Sequence, residues 1–423
     1  MKVADGPERV TVADVDGLLY LPNPSREQLE RSLRVPALSP GWRTSLKAIA
    51  EQKTSEGGNT GLKASSGPPP AWPGFRPLRV ARVDREAANV VSLSIEQTDG
   101  VPLPAALPGQ FLVLRVRTTP SGPLLLRNYS MSGAPGAETY RVSVKRETNG
   151  VVSSYLYDHV HAGDLLEVSA PRGGFILGSG DAPVVLLSAG IGATPVLAML
   201  HSLSSTASRR QVWWIYGARN RAQHPFAKES RGLLKTLVNS RSYTVYSKPD
   251  SGDEPGVDYD SVGHVDTPLL DRLGVTRDAD FYLCGPPSFL SQLSQGLKRW
   301  GADSARIHME VFGPEAPITP GILPTSRPPV HAPAGERGTG PQISFTRSGL
   351  TVPWDSRFSS LLEFAEACDV PVRWSCRTGV CHTCECALIG GAVQYQPDPL
   401  EPPAAGNLLI CCSTPCGDIE VDL

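Results

Sequence analysis

No stretch of this chain reaches the roughly 20 apolar residues that a membrane-spanning helix needs, so no span and no membrane contact are expected. The opening residues, MKVADGPERVTVADVDG, scatter charge throughout and lack the apolar centre of a secretory signal. A cytoplasmic protein is the expectation. An excess of charge is missing too: 40 basic residues stand against 42 acidic ones, a formal net charge of −2. That argues against a general polyanion binder and makes nucleic acid a poor partner. Cysteine is too scarce for a disulfide scaffold, nine residues in 423, and it is unevenly placed. Cys284 stands alone and the other eight follow residue 367, a clustering better explained by a metal site.

The length allows two to four domains. Two segments have the composition of linkers, residues 54–74 (TSEGGNTGLKASSGPPPAWPG) and the proline-rich residues 314–341. Residues 1–53 are helical in pattern, with Ser25 and Gln28 spaced as a capping box before Leu29 and Leu33, Pro36 as a stop, and a second helix after Pro40. Residues 75–178 alternate as strands do over 79–83, 90–95, 111–116, 140–145 and 165–168, which suggests an antiparallel barrel. Residues 179–313 change to fully apolar strands followed by helix patterns, at 184–188, 212–216 and 281–284, the signature of a parallel sheet with crossover helices. Residues 342–423 read as a small α+β unit: a strand (ISFT), a helix over 359–367, and strands around 408–411 and 419–423.

The segment SCRTGVCHTCECAL spaces Cys376, Cys381 and Cys384 as CxxxxCxxC, the plant-type [2Fe-2S] spacing, with a distant fourth cysteine in LLICCSTP. Sulfurs must converge there and backbone amides must point inward to offset negative charge, and Gly379 supplies backbone freedom. Zinc is the lesser alternative, because its sites favour paired CxxC units. The segment resembles plant-type ferredoxins, whose fourth ligand lies in a short Cys-x-Ser or Cys-x-Ala pattern. That resemblance implies metal ligands Cys376, Cys381, Cys384 and Cys411, with Cys412 as runner-up.

Residues 127–130 read Arg-Asn-Tyr-Ser inside the barrel pattern: a cation for phosphate, a flat ring to stack, and a hydroxyl for a ring nitrogen. Downstream, Gly150, Val152 and Ser153 begin a helix whose free amides would face a pyrophosphate. Together these pieces resemble the ferredoxin-NADP reductase superfamily. The resemblance implies that Arg127 contacts flavin phosphate, Tyr129 stacks on the isoalloxazine and Ser130 bonds near N5, with Ser153 favouring FAD. Gly190, Gly192, Thr194 and Pro195 lie between the apolar strand VVLLSA and a helix, where a dinucleotide would approach the backbone. The segment FYLCGPP, with Cys284, Gly285 and Pro286, matches the superfamily's Cys-Gly-Pro element beside the nicotinamide. HMEVFGP resembles the end of the flavohaemoglobin reductase module, which implies that Glu310 and Phe312 lie near the flavin. Arg219 and Arg221 follow the second apolar strand, where a cation would favour NADPH, and the choice of nicotinamide stays open.

LERSLRVPALSPGWRTSL resembles the three-helix domain that follows the MOSC barrel in molybdenum-cofactor-related proteins. With no MOSC barrel in the chain, the helices are expected to serve packing or docking. From about residue 75 the order matches that of phthalate dioxygenase reductase. The expected protein is multidomain: a short helical segment, an antiparallel β-barrel for FAD, a parallel α/β domain for NAD(P)H, and a β-grasp ferredoxin domain with a [2Fe-2S] cluster. The catalytic residues would be Ser130, Cys284 and Glu310. Hydride brings two electrons and the cluster takes one, so flavin must divide the pair. The partner would be an electron-accepting protein such as an oxygenase component. The rivals are a self-contained quinone, nitro or ferric reductase and a non-catalytic redox sensor.

Overall fold

A computed structural model describes residues 24–35, 38–52, 62–63, 71–72, 74–122, 124–312, 329–374, 376–380 and 382–423. The chain forms two units, Met1–Pro68 with Gly313–Leu423 and, separately, Pro69–Phe312. At the N-terminus the capping box forms as read. Ser25 Oγ accepts the Gln28 N–H, the Gln28 side chain accepts the Ser25 N–H, and α1 (Arg26–Leu33) begins there. Helix α2 (Pro40–Gln52) starts on its proline, where a missing N–H costs nothing. Strand β1 (Leu62–Lys63) follows, inside the stretch whose composition reads as linker.

In the second unit come β2 (Phe75–Ala87), β3 (Val90–Glu96), β4 (Phe111–Arg117), β5 (Leu124–Ser130), β6 (Tyr140–Lys145), α3 (Val151–Asp158) and β7 (Leu165–Ser169). The six strands form one antiparallel sheet in the order β5-β4-β7-β2-β3-β6. An antiparallel bridge between Met131 and Val142 and the Ser132 N–H donated to Arg141 O (2.9 Å) join the two ends, rolling the sheet into a barrel. Leu78, Val80, Leu93, Leu114, Val142 and Val168 fill it.

The same unit continues with β8 (Val184–Ala189), α4 (Ala193–Ser205), β9 (Val212–Ala218), α5 (Ala227–Leu234), β10 (Ser240–Tyr246), β11 (Ser261–Val262), α6 (Thr267–Leu273), β12 (Asp280–Gly285), α7 (Pro287–Trp300) and β13 (Ile307–Val311). Every strand pair is parallel, in the order β11-β10-β9-β8-β12-β13. Both faces are covered: Leu186, Trp214 and Tyr216 pack with α4, and Val185, Leu187 and Leu283 with α6 and α7. Burial on both sides is why these strands are apolar throughout. The strand order reverses between β8 and β12, where an open α/β sheet leaves a crevice at its strand C-termini.

The other unit holds β14 (Gln342–Phe345), β15 (Leu350–Pro353), α8 (Leu361–Ala367), β16 (Glu385–Gly390), β17 (Val393–Tyr395), β18 (Asn407–Leu409), β19 (Ser413–Pro415) and β20 (Ile419–Val421). A five-stranded sheet runs β15-β14-β20-β16-β18, and β1 extends a small sheet as β1-β17-β19. The strand expected through Cys411 stops at Leu409, and Ile410–Cys412 is a 3-10 turn. Side chains wind around such a turn rather than alternate, and both Cys411 and Cys412 are buried there. Part of the proline-rich stretch is also ordered against this unit: Val330 packs on its core and the His331 N–H donates to Cys368 O (3.0 Å). Backbone donors need no apolar side chain, so composition hides this contact. Among the described residues no helix is long and apolar enough to cross a membrane.

Candidate functional site

Three of the expected residues meet in the Pro69–Phe312 unit. Ser130, buried at the end of β5, donates from Oγ to Glu310 Oε2 at 3.1 Å. Glu310 lies on β13 directly beside Cys284 of β12 in the parallel register. Burial pushes the Glu310 carboxyl up to about 8 against the opposing hydrogen bond from Ser130, and burial and then Glu310 raise the Cys284 thiol. Both groups are therefore neutral at ordinary pH, and the cluster presents a hydroxyl, a carboxylic acid and a thiol.

Tyr129, next to Ser130, is half-buried, and its phenol is pushed well above its usual range by burial, so it serves as a neutral flat ring. Arg127 is exposed and donates from Nη1 to Leu126 O at 2.7 Å. Gly150 caps α3 without a side-chain hydrogen bond, so the first-turn N–H groups have no capping side chain. A Cβ on Gly150 would stand 2.1 Å from Ser153 Oγ, which explains the glycine. Ser153 itself is engaged locally, accepting from the Glu147 N–H and donating to Gly150 O, both at 3.2 Å. Val152 is buried in the barrel core, leaving its backbone as the polar part of that position. A free helix N-terminus beside a strand carrying a cation, a ring and a hydroxyl fits an FAD.

At the switch point a cleft of about 380 Å³ opens among the strand ends, lined in part by Gly190, Ile191, Arg219, Pro286 and Phe289. Gly190 has a positive φ of 54°, and the segment Gly190–Gly192 makes a 3-10 turn into α4. Gly192 is small for an internal reason: a Cβ there would stand 2.2 Å from Cys284 O. Thr194 Oγ1 donates back to Ile191 O (3.0 Å), and Thr194 and Pro195 are buried in the first turn of α4. Gly285 ends β12 and Pro286 caps α7. Phe312 is the last described residue of its segment and is partly buried. Of the two arginines, Arg219 reaches the cleft, whereas Arg221 stands 3.8 and 3.6 Å from the Asp253 and Asp258 carboxylates.

Several residues escaped sequence reasoning. Ser188, next to last in β8, lies beside Cys284, its Oγ buried with no hydrogen-bond partner among the described residues. Tyr216 donates to Gly190 O at 3.1 Å. Arg141 of β6 donates to Glu229 of α5, which also meets His201 Nε2 at 2.6 Å, tying the barrel to the parallel sheet. No local pattern marks these residues, because each matters only through a neighbour distant in sequence.

The cysteine loop lies in the other unit. The N–H groups of Thr378 and Val380 point at Cys376 Sγ (3.5 and 3.4 Å), and the Gly379 N–H donates to Cys411 Sγ at 3.3 Å. Positive φ at Arg377, Gly379 and His382 (55°, 69° and 58°) turns these amides inward. The unfavourable backbone at Arg377 is held by its ion pair with Glu366 and by its guanidinium 3.7 Å from the Trp374 ring centroid. At Gly379 a Cβ would stand 2.7 Å from Cys412 Sγ. His382 Nδ1 lies 2.6 Å from Glu385 Oε2 and bonds the loop to β16. Cys384 is buried, and its side chain interacts with Cys411. Cys412 also packs on the loop at Gly379, and its thiol donates to Leu409 O at 3.7 Å. Cys381 lies outside the described residues, and among those described no three Cys, His, Asp or Glu side chains form a metal-holding set. Amides aimed at sulfur fit a negatively charged iron–sulfur cluster.

Comparison with known proteins agrees with this layout. Family models match residues 89–176 (oxidoreductase FAD-binding domain), 186–295 (oxidoreductase NAD-binding domain), 344–416 (2Fe-2S iron-sulfur cluster binding domain) and 10–48 (YiiM-like, 3-alpha helix domain). A flavohemoprotein of Oceanobacillus iheyensis is 36% identical over 252 residues, 58% of this chain and 61% of that protein. The chain thus spans less than two thirds of that relative's length. The FAD/NAD-binding domain of a nitric oxide dioxygenase from Vibrio cholerae is 35% identical with a TM-score of 0.52, covering 57% of this chain and all of that one. An intact type IV self-sufficient cytochrome P450 monooxygenase shares the fold at 24% identity and a TM-score of 0.50, covering 85% of this chain and 43% of that one. The chain is an NAD- and FAD-binding oxidoreductase with a C-terminal 2Fe-2S domain, preceded by a YiiM-like three-helix segment.

Proposed function

We propose that this protein is a reductase component: it oxidises NAD(P)H and delivers electrons singly to another protein, such as an oxygenase. FAD would accept the hydride pair and the [2Fe-2S] cluster would carry one electron at a time. The observation that carries the reading is the junction of Ser130, Glu310 and Cys284, where the barrel meets the C-terminal ends of the parallel strands.

In this reading Arg127 and the N-terminus of α3 bind the flavin's phosphates and Tyr129 packs on its ring. Gly190, Gly192, Thr194, Pro195, Arg219, Gly285 and Pro286 frame the dinucleotide. Ser130 and Glu310 place a hydrogen-bonding pair at the reacting edge, while Cys284, small and neutral, lets two rings approach and keeps water out. Glu310, protonated below about pH 8, adds no negative charge there. Cys376, Cys381, Cys384 and Cys411 hold the cluster, and Phe312 closes the flavin side.

The acidic composition of residues 342–423 supports a protein acceptor. Residues 342–423 hold ten Asp or Glu, four Arg and no Lys. Three of those arginines are paired internally, Arg347 with Asp422, Arg357 with Asp355 and Arg377 with Glu366. The net acidity of this stretch, with Glu401 beside the cysteine loop, favours a basic partner. The test is anaerobic NAD(P)H titration of the holoprotein followed by addition of cytochrome c. Bleaching of both chromophores and cytochrome reduction that weakens with salt are expected. A cluster that stays oxidised while the flavin bleaches would sink the reading.

A further inference from the structure

Strand β16 alternates in an informative way. Leu388 faces the 2Fe-2S domain's own core with Ile343 and Phe364, whereas Ala387 and Ile389 face the other side, against Leu29, Leu38, Trp42, Leu46 and Ile49 of the N-terminal helical segment. A sheet with one solvated face would carry polar residues at 387 and 389. Here the second face is apolar and covered.

Polar contacts complete the joint. Ser45 Oγ and the Arg347 guanidinium both donate to the Asp422 carboxylate, whose side chain is 5% exposed. Arg347 also lies 3.9 Å from the Trp42 ring centroid. Gln52 Nε2 donates to Leu388 O at 3.3 Å, and a Cβ on Gly41 would stand 2.2 Å from Arg347 O. Beyond α2, β1 pairs in parallel with β17, Leu62 opposite Val393. Contact with the 2Fe-2S domain therefore runs from Leu29 to Lys63.

We infer that the N-terminal helices are a non-covalent anchor for the 2Fe-2S domain, which is thereby tethered twice to the flavin and nucleotide unit. One tether is the proline-rich stretch; the other runs through the helices. Their reaches differ. From Lys63 to Trp72, which bonds Val168 O in the barrel, there are nine residues, at most about 30 Å. From Phe312 to Val330 there are eighteen, at most about 60 Å. The shorter tether sets the local concentration of one unit at the other, so the helices, rather than the proline-rich linker, govern how far the 2Fe-2S domain ranges.

The test places a specific protease site within residues 316–322 of the full-length holoprotein and cuts it. The C-terminal fragment is expected to co-elute with the rest of the chain in size-exclusion chromatography at high salt, since the joint is largely apolar. Separation of the two pieces would overturn the anchor, whatever the redox behaviour. As a control, Leu46→Asp should release the fragment after cutting. Retention in that variant would also count against the helices. For the reach argument, a flexible insertion after Ser66 should slow cluster reduction several-fold, and the same insertion after Ile318 should not. Equal responses would refute it.

Discussion

Ser130 and Glu310 meet across two differently built sheets: the serine ends a strand of the antiparallel barrel, the glutamate sits on the edge strand of the parallel sheet, and they are 3.1 Å apart. The hydride donor and acceptor belong to those two sheets. Ser130→Ala keeps the volume and removes the hydroxyl, so flavin bleaching by NAD(P)H in stopped flow should slow roughly tenfold to a hundredfold. An unchanged rate would remove Ser130 from the reacting edge.

Glu310 has a pH signature. Its carboxyl ionises near 8 in the folded chain against an ordinary value of 4.5. Between those values the folded state keeps a proton that the unfolded state has released, so stability falls as pH rises through that window and levels off above it. Thermal unfolding of Glu310→Gln should show a flatter profile there. A Gln variant with the same slope as the parent would place the titration elsewhere.

Cys411 and Cys412 both lie against Gly379, but only Cys411 accepts its amide, while the Cys412 thiol donates to a strand carbonyl. Cys411→Ser should abolish most bound iron and sulfide together with the cluster's visible absorbance. Cys412→Ala should keep the cluster and lose only on the order of 1 kcal/mol for a small buried thiol. The reverse pattern, read by iron analysis of freshly purified protein, would exchange their roles.

Arg219 lines the cleft at the strand ends, while Arg221 is occupied by two carboxylates. Arg219→Ala should raise KM for NADPH about tenfold, the worth of one charge-assisted contact to a 2′-phosphate, and barely alter KM for NADH. Equal changes for both nucleotides would exclude recognition of that phosphate.

Much of the architecture was legible in one dimension because it rests on local rules. The capping box at Ser25 and Gln28, the alternating strands of the barrel and the uniformly apolar strands β8, β9 and β12 each follow from which faces are buried. The cysteine spacing is equally local, since Cys376 to Cys384 must lie on one loop. Composition misled at the segments read as linkers. Leu62–Lys63 and His331 are engaged through backbone hydrogen bonds, to which side-chain character is blind, and Val330 packs on the core as a lone apolar residue.

By itself the sequence determined the kinds of element, their order and the presence of FAD-binding, NAD-binding and 2Fe-2S domains, because periodicity, glycine placement and cysteine spacing act over a few positions. Only the tertiary structure decided which distant side chains touch. It put Ser130 against Glu310, tied Arg141 to Glu229, brought Cys411 onto the Gly379 amide, and laid Trp42 on Arg347. Those pairings are set by packing between segments tens to hundreds of residues apart, where burial and close approach, rather than any local pattern, select the partner.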